Sequence, residues 1–174
     1  MTERRRYWLS LAALAFVLPA TIAVHSWDSA AEWWSSNNRD PIAVATGATQ
    51  SYAGAEWQLT SLSRLPGNRA DAVVVLVQFE ATVDAEFEAG NFCRVALTDA
   101  EGRRWQPVFL SERIVRKMHP EAVDKSRCST TQFETLTKGS RTKMAETFVV
   151  PDAANGLALN IAMTGALPQY LILK

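Results

Sequence analysis

Residues 73–83 read VVVLVQFEATV, and this stretch decides the fold class. Every odd position from Val73 to Val83 is apolar, whereas the even positions become polar from Gln78 onward. Successive side chains of a β-strand point to opposite faces of the sheet, so hydrophobicity with a period of two predicts a strand. We therefore expect a long strand that is buried on both faces at first and on one face towards its end.

A second pair of alternating runs predicts a β-hairpin. Residues 93–98 read CRVALT and residues 105–109 read WQPVF, and the odd positions of both runs are apolar. Between them, DAEG at residues 99–102 is a turn sequence that ends in a glycine suited to positive φ. We expect the two runs to pair, with Trp105 and Phe109 on the apolar face.

Shorter strands are predicted along the rest of the chain. Their ranges are 57–64, 142–150, 157–163 and 170–173, with a short strand at 133–136. Turn sequences separate most of these strands, and each strand must bury one face, which two packed antiparallel sheets allow. We predict an all-β fold, an immunoglobulin-like antiparallel β-sandwich of seven to eight strands, with a small barrel as the alternative.

The N-terminus has the pattern of a membrane segment. Arg4, Arg5 and Arg6 precede residues 7–24, a run of 18 residues without a charged side chain. Positive residues stay on the cytoplasmic side, and a helix of this length covers ~27 Å of a hydrocarbon core ~30 Å thick. We expect a single-pass transmembrane helix in the plasma (inner) membrane that places the C-terminal domain outside the cytoplasm. The alternative is a cleaved signal peptide and a secreted protein.

Five aromatic residues flank this run. Tyr7 and Trp8 lie at its inner end, and Trp27, Trp33 and Trp34 follow its outer end. Amphipathic aromatic rings favour the headgroup region of a bilayer, so the five residues are predicted to lie at the membrane interface. An ordinary juxtamembrane linker is the alternative for the three tryptophans.

Four parts are predicted along the chain. They are a cytoplasmic basic tail at 1–6, the transmembrane segment at 7–26, a juxtamembrane linker at 27–50 and an extracytoplasmic β-sandwich at 51–174. The sequence NNRDP at residues 37–41 breaks any continuing helix. The C-terminal part has the size of one domain with its own core.

The chain contains two cysteines, Cys93 and Cys128. Outside the cytoplasm an even pair of cysteines predicts a disulfide, and two buried free thiols are the alternative. Closing a loop of this length would stabilise the fold by about 3–4 kcal/mol on the chain-entropy model. The chain has no Cys-x-x-Cys motif, which favours a structural bridge over a redox-active pair.

Residues 111–130 break the alternating pattern, and we call them the basic loop. Ile114, Val115 and Met118 are spaced for one turn of helix lying on the sandwich. A long loop in a compact domain is commonly functional, so five cations are candidate contact residues. They are Arg113, Arg116, Lys117, Lys125 and Arg127. The alternative is a disulfide-stapled connection without a binding role.

Charge composition limits the classes of partner. The chain has 18 basic and 18 acidic residues, which argues against a general polyanion binder and against nucleic acid as a partner. The distribution is uneven, because residues 40–99 carry a net charge of −5 and residues 100–174 a net charge of +4. One interpretation is a bipolar surface that arises by chance, and the alternative is a basic face that meets an acidic partner, lipid headgroups or a wall polymer.

Few residues suggest catalysis or metal binding. His25 and His119 have no second ligand at metal-binding spacing, and no Gly-x-Ser-x-Gly or phosphate-binding glycine motif is present. DAEFE at residues 84–88 favours a solvated acidic turn over a calcium site, because EF-hand spacing is missing. Trp57 and Trp105 are expected in the core rather than on a sugar-binding surface. We predict no catalytic residue, metal or cofactor.

A family resemblance rests on the order of four patterns. They are the strand at 73–83, VALTDAEGRRW at 95–105, the KGS turn at 138–140 and FVVP at 148–151. This order resembles the bacterial membrane-anchored or lipoprotein immunoglobulin-like domains of the DUF4352 type, over roughly residues 55–163. The cysteine pair and the basic loop depart from the family pattern. The resemblance implies a cell-envelope domain and supplies no catalytic residues.

These observations predict a non-catalytic, membrane-anchored extracytoplasmic binding or scaffolding module. Its expected partners are the lipid bilayer and another membrane or cell-envelope protein. A domain that binds an envelope ligand such as a glycan, lipid or peptide is the alternative function, and binding of a small molecule is not expected. An enzyme would need a base with a positioned partner, which the sequence does not indicate.

Overall fold

The computed structural model describes residues 4, 7–8, 11–22, 40–67, 69, 71–85, 91–109, 113–131 and 133–174. The chain divides into two compact units, Met1–Asn37 and Asn38–Lys174. Each unit is described by itself below.

The described part of the first unit is helical. Residues 11–22 form helix α1, and its large apolar side chains, such as Leu14 and Phe16, are exposed. Tyr7 and Trp8 are also helical and exposed, and their rings meet edge to face with centroids 6.2 Å apart. Within the described residues, no helix is both long enough and apolar enough to cross a bilayer.

Part of the predicted N-terminal pattern lies outside the described residues. Arg4 is described and exposed. The others are not described, and for them the predicted topology and interface roles stay predictions. They are Arg5, Arg6, Trp27, Trp33 and Trp34.

The second unit contains nine strands among its described residues. Their bounds are β1 Asp40–Val44, β2 Thr49–Tyr52, β3 Ala55–Pro66, β4 Ala72–Val83, β5 Cys93–Thr98, β6 Arg104–Trp105, β7 Arg141–Pro151, β8 Ala158–Met163 and β9 Gln169–Leu173. Short helices are α2 Arg113–Met118, α3 Pro120–Val123 and the 3₁₀ turns η1 Cys128–Thr130, η2 Phe133–Thr135 and η3 Thr164–Ala166.

The strands form two sheets. Sheet A has the order β1-β9-β8-β5-β6 and sheet B the order β2-β3-β4-β7. All described pairings between these strands are antiparallel except that of β1 with β9, which is parallel. The predicted β-rich, two-sheet sandwich is confirmed.

The main core lies between the two sheets. Trp57 and Phe79 stack in sheet B with ring centroids 6.4 Å apart, and Phe133 lies against Trp57 at 5.7 Å. These rings are fully buried together with Phe148, and Leu159 of sheet A belongs to the same cluster. Burial of large aromatic and aliphatic side chains is the main favourable term in folding such a domain.

Tyr52 adds a polar connection between the sheets. It belongs to β2 of sheet B, and its hydroxyl donates to the carbonyl of Gln169 at 2.8 Å. The same hydroxyl accepts the N–H of Met163 at 3.0 Å, so Tyr52 contacts both β9 and β8 of sheet A. Burial raises the pKa of Tyr52 and the bond from Met163 opposes that shift.

Strand β4 and the β5–β6 hairpin agree with the sequence analysis. In β4, Val75 and Val77 are fully buried in the main core, whereas Gln78 is only partly buried. Strands β5 and β6 pair antiparallel, and Gly102 in the turn between them has φ of 80°. The pattern of two-sided and then one-sided burial therefore follows the alternation in the sequence.

Strand β1 and the first half of β2 lie in the part that the sequence analysis assigned to a linker at 27–50. Pro41 is tolerated in β1 because this strand is at the edge of sheet A, where a missing N–H costs little. The β2–β3 turn has positive φ at Ala53 and Gly54, a backbone suited to tight hairpins. Among the described residues of this unit, strand structure therefore begins at Asp40, before the predicted domain start at residue 51.

The short strand predicted at 133–136 is wrong. Phe133–Thr135 form a 3₁₀ turn, and Leu136 donates its N–H to the carbonyl of Phe133 at 3.0 Å. Phe133 is buried against Trp57, so its apolar character reflects core packing and not a strand.

Candidate functional site

Helix α2 lies on the outer face of sheet B. Val115 is fully buried there, in a cluster with Val74 and Leu76 of β4 and Ala122 of α3. Residues 74 and 76 point away from the main core because side chains alternate along a strand. The helical turn expected within the basic loop is therefore present, and Val115 and Ile114 cover the second apolar face of β4, but Met118 of the predicted turn is exposed.

The solvent-facing side of α2 is cationic. Successive helical residues are ~100° apart around the axis, so Arg113, Arg116 and Lys117 share the side opposite the buried Val115. All three cations are exposed. The six-residue helix thus presents three positive charges within a single turn and a half.

These three cations have no described acidic partner. Among the ion pairs within the described residues, none includes Arg113, Arg116 or Lys117. Arg116 and Lys117 lie in the last turn, where the helix dipole favours cations. Arg113 is the first described residue of α2, and the described first turn contains no acidic residue.

Two apolar side chains near these cations in the sequence are exposed, Met118 of α2 and Phe109, whose ring centroid lies 6.0 Å from the guanidinium of Arg127. Phe109 is 87% exposed and Met118 is 52% exposed. The predicted position of Phe109 on the apolar hairpin face is wrong, because β6 ends at Trp105 and the side chain of Phe109 is exposed. We define the contact surface as five residues of this region, which are Phe109, Arg113, Arg116, Lys117 and Met118.

The other two cations of the basic loop are committed to internal contacts. Lys125 is partly buried and donates to the side-chain oxygen of Gln78 in β4. Arg127 donates to the carboxylate of Glu146 and to the carbonyls of Val108 and Phe109. The structure therefore divides the five candidate contact residues into three that face solvent and two that hold the loop.

Glu146 of β7 is the buried carboxylate that receives Arg127. Its side chain is fully buried, and one carboxylate oxygen accepts from Arg127 Nε at 3.1 Å and Nη2 at 3.0 Å. The other oxygen accepts the N–H of Cys128 at 3.0 Å. Burial raises the pKa of Glu146, and the Arg127 charge and the Cys128 N–H oppose this shift without reversing it.

Sequence analysis did not identify Glu146, although β7 contains a signal for it. Met144, Phe148 and Val150 share the inward face of β7, and Glu146 has the same parity. A carboxylate at an inward position of an apolar strand requires a buried partner. This rule would have predicted that Glu146 is buried beside a cation. Only the structure shows that the cation is Arg127.

The predicted disulfide is present between Cys93 of β5 and Cys128 of η1, which are 35 residues apart in sequence. Both residues are buried, and their Cα atoms are 5.3 Å apart. The bridge connects the end of the basic loop to sheet A.

The other candidate residues of the sequence analysis make contacts within the domain. His119 lies beside Glu121, with Nδ1 3.2 Å from a carboxylate oxygen. Trp57 is fully buried, as expected, whereas Trp105 is half-buried under the guanidinium of Arg103, 5.6 Å from the ring centroid. In the described part of the chain, no group of three His, Cys, Asp or Glu side chains is arranged for a metal ion.

Comparison with known proteins supports the fold alone. No family model matches the chain, and no curated protein matches it. MPT63, a secreted protein from Mycobacterium tuberculosis, is similar in structure, with a TM-score of 0.50 and 13% identity over 77% of this chain and 97% of MPT63. A conserved hypothetical protein from Bacillus anthracis has a TM-score of 0.47 and 10% identity over 75% and 94% of the two chains. The likeness to MPT63 agrees with the two-sheet sandwich.

Proposed function

We propose that this chain is a non-catalytic, extracytoplasmic binding module that its N-terminal segment anchors to the plasma (inner) membrane. The contact surface then docks the domain onto an acidic surface of another membrane or cell-envelope protein. The observation that carries this proposal is the set of three outward cations on α2, without described acidic partners, with exposed Met118 on the same helix and exposed Phe109 shortly before it in the sequence.

This combination of side chains is typical of protein interfaces. Arginine, methionine and aromatic residues are enriched at interfaces, and arginine is frequent among the residues that dominate affinity. Positive charges speed the encounter with an acidic partner and reject basic ones. Phe109 and Met118 supply apolar area that binding would remove from water.

Three observations support the proposed location. Arg4, Arg5 and Arg6 precede a long uncharged run, and the described apolar side chains of α1 are exposed. The Cys93–Cys128 disulfide suits an oxidising compartment. MPT63, which has a similar fold, is described as a secreted protein.

The finer fold assignment is also part of the proposal. We assign the domain to the immunoglobulin-like sandwiches of the DUF4352 type, and the order of the strands and turns from β4 to β8 supports it. A non-catalytic role is supported by the use of the buried carboxylates. Asp99 accepts the N–H groups of Glu101 and Arg103 within a turn, and Glu146 holds Arg127.

Site-specific photo-crosslinking in intact membranes tests this function. A photoreactive phenylalanine analogue replaces Phe109 in the contact surface or, as the matched control, Phe92, which is 64% exposed at the start of sheet A strand β5. We expect position 109 to crosslink to one identified envelope protein whose crosslinked segment is acidic. Position 92 should crosslink to that protein at least about tenfold less, because affinity is concentrated at a few interface residues.

Three outcomes would overturn the proposal. Equal crosslinking at both positions would show that the contact surface has no special role. Crosslinks from position 109 only to lipid or glycan would favour the envelope-ligand function instead. The absence of any crosslink from position 109 in native membranes would leave the surface without a partner and contradict docking.

A further inference from the structure

Arg127 joins the two ends of the basic loop. Its guanidinium donates to the carbonyls of Val108 and Phe109, which precede the loop, and to the buried carboxylate of Glu146. Val108 in turn donates its N–H to the carbonyl of Thr147 at 2.8 Å. Both ends of the loop are therefore held beside β7, the edge strand of sheet B.

The residues on either side of Arg127 are also held. Ser126 accepts the N–H of Ala145 at 3.1 Å, and Cys128 donates its N–H to Glu146 at 3.0 Å. The Sγ atom of Cys128 is bonded to Cys93 of β5 in sheet A. Residues 126–128 thus connect sheet B, through hydrogen bonds, to sheet A, through the disulfide. We call residues 108–109, 126–128 and Glu146 the loop base.

We propose that formation of the Cys93–Cys128 disulfide fixes the loop base and thereby completes the contact surface, so that the oxidised protein binds its partner and the reduced protein does not. This inference rests on the proposed function of the contact surface. In the oxidation step, the two thiols lose two protons and two electrons and form one S–S bond. A protein or small-molecule disulfide accepts the two electrons and the two protons and becomes two thiols, by thiol–disulfide exchange.

The physical reason is the cost of ordering the loop. In the reduced protein, nothing covalent ties Cys128 to sheet A, and the buried pair of Arg127 and Glu146 must keep its geometry through hydrogen bonds alone. A buried ion pair is favourable only when its geometry is well held. A loosened base would leave Phe109 and α2 to be ordered at the moment of binding, which lowers affinity.

Cys93 and Cys128 are buried within the main core, but we expect reduction to act locally because the large aromatic side chains of that core come from other elements. Trp57, Phe79 and Phe148 pack between the sheets through other strands. We therefore expect the sandwich to persist while the loop base and residues 108–127 become mobile.

Hydrogen exchange of the full chain in detergent tests this inference. The samples are the oxidised protein, the reduced protein and the Cys93→Ala/Cys128→Ala variant, each labelled for seconds to minutes. We expect residues 108–127 to exchange about tenfold or more faster without the disulfide, while β4 stays unexchanged, because local opening costs less than global unfolding. Equal protection of residues 108–127 in all samples would overturn the inference. Equally fast exchange in β4 would also overturn it, since the bridge would then support the whole fold.

Arg127→Lys is the second variant. It keeps the charge and the disulfide, but a lysine cannot bond simultaneously to Glu146 and to both carbonyls. We expect the oxidised Arg127→Lys protein to show the same faster exchange in residues 108–127. Unchanged exchange would contradict the role of the loop base in holding the loop.

Crosslinking from position 109 separates this inference from the proposed function. If the oxidised protein crosslinks and the Cys93→Ala/Cys128→Ala variant does so about tenfold less, the disulfide controls binding. Equal crosslinking of both proteins would refute that control while the docking function stands. Hydrogen exchange needs no partner, so it decides the loop-base mechanism even if no crosslink forms and the docking function fails.

Discussion

The main core and the loop base hold the same domain by different physical means. The main core is almost entirely apolar, and its aromatic rings contact one another between two extended sheets. The loop base is polar and covalent, with a buried carboxylate, an arginine, backbone carbonyls and a disulfide in a short stretch of chain. The first arrangement tolerates small shifts, whereas the second depends on exact geometry.

This difference separates folding from the display of the contact surface. Apolar burial is non-directional, so the core can determine that two sheets pack without fixing the position of a surface loop. Directional bonds to Arg127 and Glu146 fix that position instead. Core substitutions should therefore lower global stability without moving the contact surface, whereas loop-base substitutions should also disturb the contact surface.

The largest stability effect is expected in the main core. Phe148→Ala removes a fully buried ring and should lower the free energy of unfolding by about 3–5 kcal/mol. Phe109→Ala is the matched control, because that ring is 87% exposed, and it should change stability by less than about 0.5 kcal/mol. Denaturant unfolding followed by circular dichroism measures both values. Similar losses in the two variants would contradict the assignment of the core.

A smaller loss is expected from the loop base. Removing the bridge in Cys93→Ala/Cys128→Ala should cost about 3–4 kcal/mol on the chain-entropy model, with the sandwich retained. Denaturant unfolding of the variant and of the wild-type protein with and without reductant gives the value. A reduced wild-type protein as stable as the oxidised one would contradict the expected effect.

The contribution of Glu146 to the free energy of unfolding should depend on pH, and this gives a test with a smaller expected effect. Burial raises the pKa of Glu146 in the folded protein above its ordinary value of about 4.5, so the folded state holds the proton more tightly than the unfolded state. Stability from this group is fully present below about pH 4.5 and is lost as the pH rises through the folded pKa. The free energy of unfolding of wild type relative to Glu146→Gln should therefore increase as the pH falls from 8 towards 4.5. A difference that is constant, or that grows with pH, would contradict the direction of the shift.

The main strands could be predicted because their patterns are local. In β4 and in the β5–β6 hairpin, alternation over several residues and a glycine-ended turn carry the information within each segment. The disulfide also followed from cysteine count and the expected compartment. The long-range pairing of β1 with β9 could not be predicted, because a short edge strand that begins at Asp40-Pro41 has almost no pattern of its own.

The site was predicted only in part, because the role of each residue depends on contacts with residues that are distant in the sequence. Composition selected five cations of the basic loop, but their roles depend on which of them meets a buried acceptor. Gln78 and Glu146 lie on strands outside the loop, 47 residues from Lys125 and 19 residues from Arg127, so the internal roles of these two cations emerge only from the fold. For Phe109 the prediction was wrong. Its odd position in the alternating pattern suggested the core, but β6 ends before it and its side chain is exposed.

The smallest effect on stability belongs to the contact surface itself. In Arg113→Glu/Arg116→Glu/Lys117→Glu, three exposed cations change sign, and the free energy of unfolding should change by less than about 1 kcal/mol. Arg94→Glu/Arg104→Glu/Lys138→Glu is the matched control, because its three exposed cations lie outside the contact surface.

Crosslinking from a photoreactive analogue at position 109, measured in native membranes for both triple variants, tests the docking claim most directly. We predict that reversal of the α2 cations lowers the yield of the partner crosslink by about tenfold or more, while the control variant stays within about twofold of the parent protein. Equal yields from the two triple variants would contradict the claim that the cationic face of α2 docks onto an acidic partner.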